Sequence, residues 1–318
     1  MKKISFILLF VLISFFNYTS PKDFAYITNQ ESNKLDVIDL KTKEKIKEID
    51  LGKRPAAIYI DKKSNKIFVS NPESNNISVI DLENNSNTFI NAGESPLGVT
   101  ANQNNLFVTN WYNNLVTVIQ LENKKIIKKI DVGKSPAGIY LDDSINKIFV
   151  ANRESNNISI IDTDKLEVIH TVKVEKAPFG IYSEPFLSYV IVTNVQSNSI
   201  SVIDKSSFEL LYNIKVSKWP YSAIINKKNN LLFVTNQRDD SISIIDMNKK
   251  KNIKTLSNVC EYPEGIDISY TLNLIVVACW FEDNIILIDL DSFNIIKKIQ
   301  TSGGPRAFGK FIYDDSNE

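Results

Sequence analysis

Residues 147–162, with the sequence KIFVANRESNNISIID, contain the pattern that decides the fold. A first apolar run ends at Asn152, a polar turn follows, and a second apolar run ends at Asp162. Short runs rich in Val, Ile and Phe that are bounded by polar turn residues are typical of buried β-strands. Together with apolar runs over residues 138–141 and 167–174, the segment predicts a unit of four short strands.

Three markers show that this unit recurs seven times along the chain. The second strand ends at Asn29, Asn71, Asn110, Asn152, Asn194, Asn236 and, in a degenerate copy, Cys279. The third strand ends at Asp39, Asp81, Gln120, Asp162, Asp204, Asp246 and Asp289. A proline that is followed two residues later by a small residue occurs at Pro55, Pro96, Pro136, Pro178, Pro220, Pro263 and Pro305. Successive second-strand markers are 42, 39, 42, 42, 42 and 43 residues apart, so the chain is built from repeats of one unit. We expect the repeated Asp to accept backbone N–H groups of the turn that follows it, and the repeated Asn to do the same at the opposite end of the blade.

Four-stranded units at this period predict an all-β fold, a seven-bladed β-propeller. The middle strands are apolar on both faces, and a propeller covers both faces by packing each blade against two neighbours. The first segment of the repeat region, which begins at Phe24, matches the second strand of a unit, whereas residues 308–313 match an innermost strand. We therefore expect the C-terminal strand to complete the first blade and to close the ring.

The composition excludes several classes of function. The 318 residues include 37 Lys and Arg and 37 Asp and Glu, so we expect no basic face for duplex DNA. The single histidine, His170, excludes multi-histidine metal sites and argues against a Ser-His-Asp triad. Two cysteines are too few for an iron–sulfur centre. We expect no cofactor, although loop Asp and Asn oxygens leave calcium binding open.

The N-terminus has the pattern of an export signal. Lys2 and Lys3 precede an apolar run over residues 4–16, which is typical of a secretory signal and shorter than the ~20 residues that span a bilayer. We predict that residues 1–20 are a signal peptide or an uncleaved membrane anchor and that residues 21–318 form the propeller. The protein is then periplasmic, bound to the cell surface or secreted.

Cys260 and Cys279 are predicted at one corner of the propeller. Cys260 lies in the turn between the sixth and seventh blades, and Cys279 replaces the repeated Asn at the same rim. Exported proteins meet an oxidising compartment, in which neighbouring cysteines pair. The sequence leaves two alternatives, a disulfide or two half-buried thiols that are too far apart to join.

Residues that differ between blades are concentrated on one rim. Strand direction alternates within a blade, so connections appear on two rims in turn. One rim carries the connections from each second strand to the third and from each fourth strand to the first strand of the next blade. This rim holds all four arginines and all three tryptophans, whereas the opposite rim offers mainly Lys, Asn, Asp, Glu and Ser. The candidate ligand-binding residues are Arg54, Trp111, Tyr112, Arg153, Phe179, Trp219, Tyr221, Arg238, Trp280 and Arg306, with Tyr262 and Phe281 beside them.

Two interpretations of this rim remain open. Arginine binds carboxylate or phosphate groups through parallel hydrogen bonds, and exposed Trp and Tyr are common anchors of recognition surfaces. The rim would then bind a protein or a small anionic or aromatic ligand. Alternatively, Arg153 and Arg238 pair with Glu154, Asp239 or Asp240, and the aromatic side chains only fill the mouth of the funnel.

The repeat resembles that of a known family. The Tyr/Phe-Val-Thr-Asn run (for example residues 107–110), the Ser-Val-Ile-Asp run (residues 78–81) and the Gly-Lys-x-Pro-x-Gly turn (residues 133–138) are similar to the YVTN β-propeller repeat. The resemblance covers residues 24–313. It implies an exported seven-bladed propeller of the surface-layer type that serves in binding, with lactone hydrolases and a propeller for single-stranded DNA among distant relatives. A fold does not fix a function, so the resemblance identifies no site.

Two functions from different classes follow. The favoured hypothesis is an exported, non-enzymatic and monomeric binding protein that uses the Arg/aromatic rim. Single-stranded nucleic acid is a weakly supported partner, since aromatic platforms stack bases but the net charge is zero. The alternative is a lactonase-like hydrolase with its site at the funnel mouth. It needs a general base, for which we name Asp267 on an innermost strand.

Overall fold

The computed structural model describes residues 23–314, and within them the regular secondary structure is almost entirely β-strand. The predicted signal or anchor segment, residues 1–20, lies outside this range. The strands form seven antiparallel sheets of four strands each, which confirms the seven-bladed β-propeller. No helix in this part of the chain is long and apolar enough to cross a bilayer.

The strands follow one another from the axis outward, except in the first blade. Blade 1 contains β1 (Asp23–Asn29), β2 (Lys34–Asp39), β3 (Glu44–Asp50) and, innermost, β28 (Ile312–Asp314). Blade 2 contains β4 (Ile58–Asp61), β5 (Lys66–Asn71), β6 (Asn76–Asp81) and β7 (Asn87–Asn91). Blade 3 contains β8 (Pro96–Ala101), β9 (Asn105–Asn110), β10 (Leu115–Gln120) and β11 (Lys125–Asp131). Blade 4 contains β12 (Pro136–Asp142), β13 (Lys147–Asn152), β14 (Asn157–Asp162) and β15 (Glu167–Lys173).

The remaining blades have the same order. Blade 5 contains β16 (Pro178–Tyr182), β17 (Tyr189–Asn194), β18 (Ser199–Asp204) and β19 (Leu210–Lys215). Blade 6 contains β20 (Pro220–Asn226), β21 (Leu231–Asn236), β22 (Ser241–Asp246) and β23 (Lys251–Leu256). Blade 7 contains β24 (Pro263–Ser269), β25 (Leu274–Cys279), β26 (Asn284–Asp289) and β27 (Ile295–Gln300). Short 3₁₀ helices occupy three second-to-third-strand turns, at Pro72–Ser74, Gln237–Asp239 and Trp280–Glu282.

The middle strands of each blade form the core. In blade 4, β13 buries five consecutive residues and β14 buries four, among them Phe149 and Ile160, whereas β15 exposes most of its side chains. β-branched and aromatic residues suit such strands because they pack well on a pleated surface that is covered on both sides. The continuous apolar runs therefore correspond to strands between two neighbouring blades.

The repeated Asp stabilises the turn that follows the third strand, as predicted. Asp162 Oδ1 accepts the backbone N–H groups of Asp164 and Lys165 at 3.0 Å each. Carboxylates that accept main-chain N–H groups two and three residues ahead are typical of such turns. The same pair of bonds forms at Asp39, Asp81, Asp204, Asp246 and Asp289.

The repeated Asn does not act as expected. We expected it to accept N–H groups of the next turn, but Asn152 Nδ2 donates to Ser159 Oγ at 2.8 Å on the adjacent strand. The expected role belongs to Asn156, which has a φ of 53° and accepts the N–H of Ala177 in the loop that enters the next blade. Asn and Asp tolerate this left-handed conformation better than most residues. Equivalent bonds from main-chain N–H groups join both sets of connections into one loop rim, and they are accepted by Asn33, Asn75, Asn114, Asn198, Asp240 and Asp283.

The repeated Thr or Ser connects neighbouring blades near the axis. Thr109 Oγ1 accepts the N–H of Gly98 at 2.7 Å and donates to the carbonyl of Ala137 in the next blade at 2.8 Å. A Cβ on Gly98 would lie 2.4 Å from that carbonyl oxygen. This close approach explains why the residue two positions after each repeated Pro is small. The same bridge forms at Thr28, Ser70, Thr193 and Thr235.

The C-terminal segment closes the ring, as predicted. β28 pairs antiparallel with β1, and the N–H of Tyr26 donates to the carbonyl of Phe311 at 2.8 Å. The regular strand is shorter than the predicted residues 308–313, because Gly309 adopts a φ of 126° and bends the chain. A Cβ at that glycine would lie 2.2 Å from the carbonyl oxygen of Ile58, so no larger residue fits the bend.

Candidate functional site

Two of the ten candidate residues are buried at the axis. Phe179 and Tyr221, each directly after its Pro, have ring centroids 4.5 Å apart, and Phe308 lies 5.1 Å from the first and 5.5 Å from the second. Phe308 comes from the segment that closes blade 1, whereas its partners belong to blades 5 and 6. These rings therefore fill the axis, and the expectation that Phe179 and Tyr221 are exposed anchors is wrong.

Arg306 also makes its contacts inside the molecule. Its Nε lies 3.1 Å from Glu264 Oε2 and donates to Tyr221 Oη at 3.0 Å, while Gln237 Nε2 donates to Glu264 Oε1 at 2.9 Å. The Glu264 carboxylate is almost completely buried, and the Arg306 side chain is 20% exposed. Burial raises the pKa of Glu264 to about 7, against the opposing effects of Arg306 and Gln237. Burial likewise raises the pKa of Tyr221 above its ordinary value.

The raised pKa of Glu264 predicts that the propeller loses stability as the pH rises. Between its ordinary value of 4.5 and about 7, the folded protein holds a proton that the unfolded chain has released. The free energy of unfolding should therefore fall over this range by on the order of 2 kcal/mol. Burial raises the pKa of Asp267 to about 6, which adds a loss of the same sign at lower pH. Urea unfolding from pH 5 to 7.5 measures the slope.

Glu264→Gln is the matched control for that slope. The variant has no titratable group at this position, so the loss of stability above pH 6 should largely disappear. A variant that keeps the full slope of the wild-type protein would show that another group causes it.

Two arginines stack on tryptophans instead of forming ion pairs. The guanidinium carbon of Arg238 lies 3.5 Å from the centroid of Trp219, and that of Arg153 lies 5.9 Å from Trp111. Such cation–π contacts hold both groups in a fixed orientation. Within residues 23–314 neither guanidinium has a carboxylate within ion-pair distance, unlike Arg54, whose Nε lies 3.6 Å from Glu73. The alternative pairing of Arg153 and Arg238 with their acidic neighbours is therefore not observed.

An aromatic cluster of the loop rim lies between blades 6 and 7. Tyr262, Trp280 and Phe281 form one cluster with centroid distances of 4.7 to 5.7 Å, and Phe281 is 61% exposed. A depression of about 570 Å³ is lined by Gln237, Arg238, Asp240, Glu261, Tyr262 and Phe281. We call Trp219, Arg238, Tyr262, Trp280 and Phe281 the blade 6–7 surface. Across the rim, Tyr112 is 71% exposed beside the Trp111–Arg153 stack.

Cys260 and Cys279 form a disulfide under this surface. Their Cα atoms lie 5.8 Å apart, and the bond closes a loop with a sequence separation of 19. Of the two alternatives left open by the sequence, the disulfide is the one observed. It covalently joins the loop that carries Tyr262 to the end of β25, directly before Trp280, and so holds the aromatic cluster in place.

Asp267, the residue named as a general base, holds the closing segment. Its Oδ2 accepts the N–H groups of Phe311 at 2.8 Å and Ile312 at 2.9 Å, and its Oδ1 accepts the N–H of Ile268. Both oxygens of this buried carboxylate are thus occupied by main-chain donors. Within residues 23–314, no group of three or more His, Cys, Asp or Glu side chains could hold a metal ion.

Glu264 and Phe308 are central to the axis but were not among the candidates. A comparison of equivalent positions could have indicated both. Directly after the repeated Pro, the other blades have Ala56, Leu97, Ala137, Phe179, Tyr221 and Arg306, so the acidic Glu264 is exceptional. Three residues after the Pro, Phe308 is the one aromatic residue among Ile58, Val99, Ile139, Ile181, Ala223 and Ile266.

Comparisons with known proteins agree with the fold. The YNCE-like beta-propeller family matches residues 19–147, whereas no curated protein matches the chain significantly. A functionally unknown protein from Desulfotomaculum acetoxidans has a TM-score of 0.76 at 13% identity, covering 92% of this chain and 98% of that one. Hydrazine synthase of Kuenenia stuttgartiensis has a TM-score of 0.72 at 18% identity, covering 82% of this chain and 92% of that one. AztD from Citrobacter koseri has a TM-score of 0.65 at 14% identity, covering 94% and 100%.

Structural similarities at such low identity concern the fold alone. The resemblance to the YVTN repeat and to surface-layer proteins stays a prediction. What the repeats, the seven sheets and the matches establish together is that this chain is a seven-bladed β-propeller, similar over residues 19–147 to the YNCE-like beta-propeller family.

Proposed function

We propose that the protein is an exported, monomeric, non-enzymatic binding protein that holds a loop or extended segment of a protein partner on the blade 6–7 surface. The observation that carries this proposal is the Trp219–Arg238 stack, whose arginine lines the same depression as Tyr262 and Phe281. Rigid aromatic side chains and Arg are the residue types that contribute most to protein–protein affinity. Here they are preorganised by stacking and by the adjacent disulfide, so little side-chain entropy is lost on binding.

The charges around this surface favour a protein over a nucleic acid. Arg238 is flanked by Asp239 and Asp240, and the neighbouring loops carry Glu261 and Glu282. A surface with both signs repels a polyanion at its acidic positions but complements a protein segment of mixed charge. The proposal therefore commits to a protein partner.

Export is part of the proposal. The disulfide supports an oxidising compartment, since such bonds are rare in reducing ones. The charged start and apolar run over residues 2–16 and the YVTN-like repeats point the same way. The hydrolase alternative gains no support, because both Asp267 oxygens already accept main-chain hydrogen bonds.

The double variant Trp219→Ala/Arg238→Ala should lose at least ten-fold in affinity for a protein captured from envelope extract by the wild-type propeller. Two anchors that each contribute about 1–2 kcal/mol account for that loss. The matched control is Phe186→Ala/Lys228→Ala, which removes one exposed aromatic residue and one cation from the opposite rim. Unfolding curves of both variants verify the fold. Equal capture by the two double variants would contradict the proposed surface.

A further inference from the structure

A second cavity lies on the other side of the propeller, between the outer parts of blades 2 and 3. Its volume is about 520 Å³, within the range of small-molecule sites. Phe68, Val79 and Ile90 form its apolar floor, and Lys66, Lys124 and Thr88 are among the residues around its opening. None of these residues belongs to the loop rim.

The residue positioned to fill the cavity is a lysine. Each third-to-fourth-strand turn has a residue with positive φ, and in blades 5 and 7 this residue is a phenylalanine that packs on the preceding blade. Phe208 lies 6.2 Å from Phe149, and Phe293 lies 5.8 Å from Phe233, measured between ring centroids. The equivalent residue of blade 3 is Lys124, with a φ of 59°, and it faces Phe68 without adding a ring.

A short neighbouring loop keeps the cavity open to solvent. The connection between β8 and β9 has three residues, 102–104, whereas that between β12 and β13 has four, 143–146. Gln103 and Asn104 of the shorter loop line the cavity and supply polar atoms at its edge. The opening therefore combines an apolar floor with a polar border, as ligand sites do.

Two ammonium groups at the opening are available to bind a carboxylate. Within residues 23–314, neither Lys66 nor Lys124 forms an ion pair, and Lys124 Nζ has one long contact, 3.5 Å from Thr88 Oγ1. Asp81 and Glu122 also line the cavity, so its four charged side chains sum to zero and disfavour ligands with several negative charges. Asp81 Oδ1 accepts the N–H groups of Glu83 and Asn84, which hold this carboxylate in its own turn.

We propose that this cavity binds a small aromatic carboxylate. The ring of the ligand packs on Phe68, Val79 and Ile90. It takes the place that corresponds to the Phe208 and Phe293 rings, which pack on the preceding blade in blades 5 and 7. The carboxylate accepts hydrogen bonds from the ammonium groups of Lys124 and Lys66. This site is independent of the proposed protein-binding surface and lies on the opposite rim.

Calorimetric titration with naphthalene-2-carboxylate tests the proposal. Saturable binding to the wild-type protein is expected, and Lys124→Phe should weaken it at least ten-fold by filling the cavity. Lys250→Phe makes the same substitution at the equivalent turn of blade 6, where the lysine lies over Tyr212, and should leave binding unchanged. Lys124→Met should weaken binding of the carboxylate but not of naphthalene-2-carboxamide.

Three results would overturn the proposal: no saturable binding to the wild-type protein, equal binding to Lys124→Phe, or equal affinity for carboxamide and carboxylate. Trp219→Ala/Arg238→Ala should bind the probe like the wild-type protein. Failure at this cavity is therefore separable from failure at the loop rim.

Discussion

Removal of residues 306–318 should lower the melting temperature by on the order of 10 °C or more, because several kcal/mol of stability are lost. The truncation removes the Phe308 ring from the axis and β28 from the first blade. It also exposes the unpaired edge of β1, and such edges promote association between chains. Differential scanning calorimetry and size-exclusion chromatography measure both effects.

Asp267→Asn gives a smaller test of the same closure. The amide keeps the size of the side chain but weakens the charge-assisted acceptance of the Phe311 and Ile312 N–H groups. Its melting temperature should lie between those of the wild-type and truncated proteins. An unchanged melting curve for the truncated chain would show that the ring does not depend on the C-terminal segment.

Arg306→Ala should destabilise the propeller by about 3–5 kcal/mol, the cost of leaving a buried charge without its partner. The Glu264 carboxylate would lose the guanidinium at 3.1 Å, and Tyr221 Oη would lose its donor. Urea unfolding at pH 8, where Glu264 is largely ionised, gives the largest difference.

Two further variants isolate the ion pair as the cause. Arg306→Met/Glu264→Leu removes both charges and should recover most of the lost stability. Arg238→Ala removes an exposed arginine that stacks on Trp219 and should cost about 1 kcal/mol or less. Equal losses in the Arg306 and Arg238 single variants would contradict the buried network.

The blades could be predicted because each carries the same local chemistry. The turn bonds of Asp162 and the bridge of Thr109 recur in most blades, so their sequence signal is repeated with one period. Alternation of strand direction then assigned each connection to a rim without knowledge of any side-chain contact. The repeated Asn shows the limit, because its hydrogen-bond partner depends on the turn geometry.

Contacts across the axis could not be predicted in the same way. Phe179 and Tyr221 occupy rim-end positions, but their burial depends on Phe308, which is more than 80 residues away in the chain. The sequence placed Arg153 beside Glu154, yet the guanidinium stacks on Trp111 of the preceding blade. These contacts join side chains of different blades, and no sequence period relates the two partners.

A photo-crosslinking comparison tests the central claim, that one rim binds a protein partner. Benzoylphenylalanine replaces either Phe281 on the blade 6–7 surface or Phe186 on the opposite rim, two phenylalanines that are each 61% exposed. Irradiation in envelope extract should yield a discrete crosslinked protein when the probe is at position 281, and none when it is at position 186. The crosslink from position 281 should disappear when Trp219→Ala/Arg238→Ala is added. Crosslinking to the same protein from both positions, or from position 186 alone, would contradict the account.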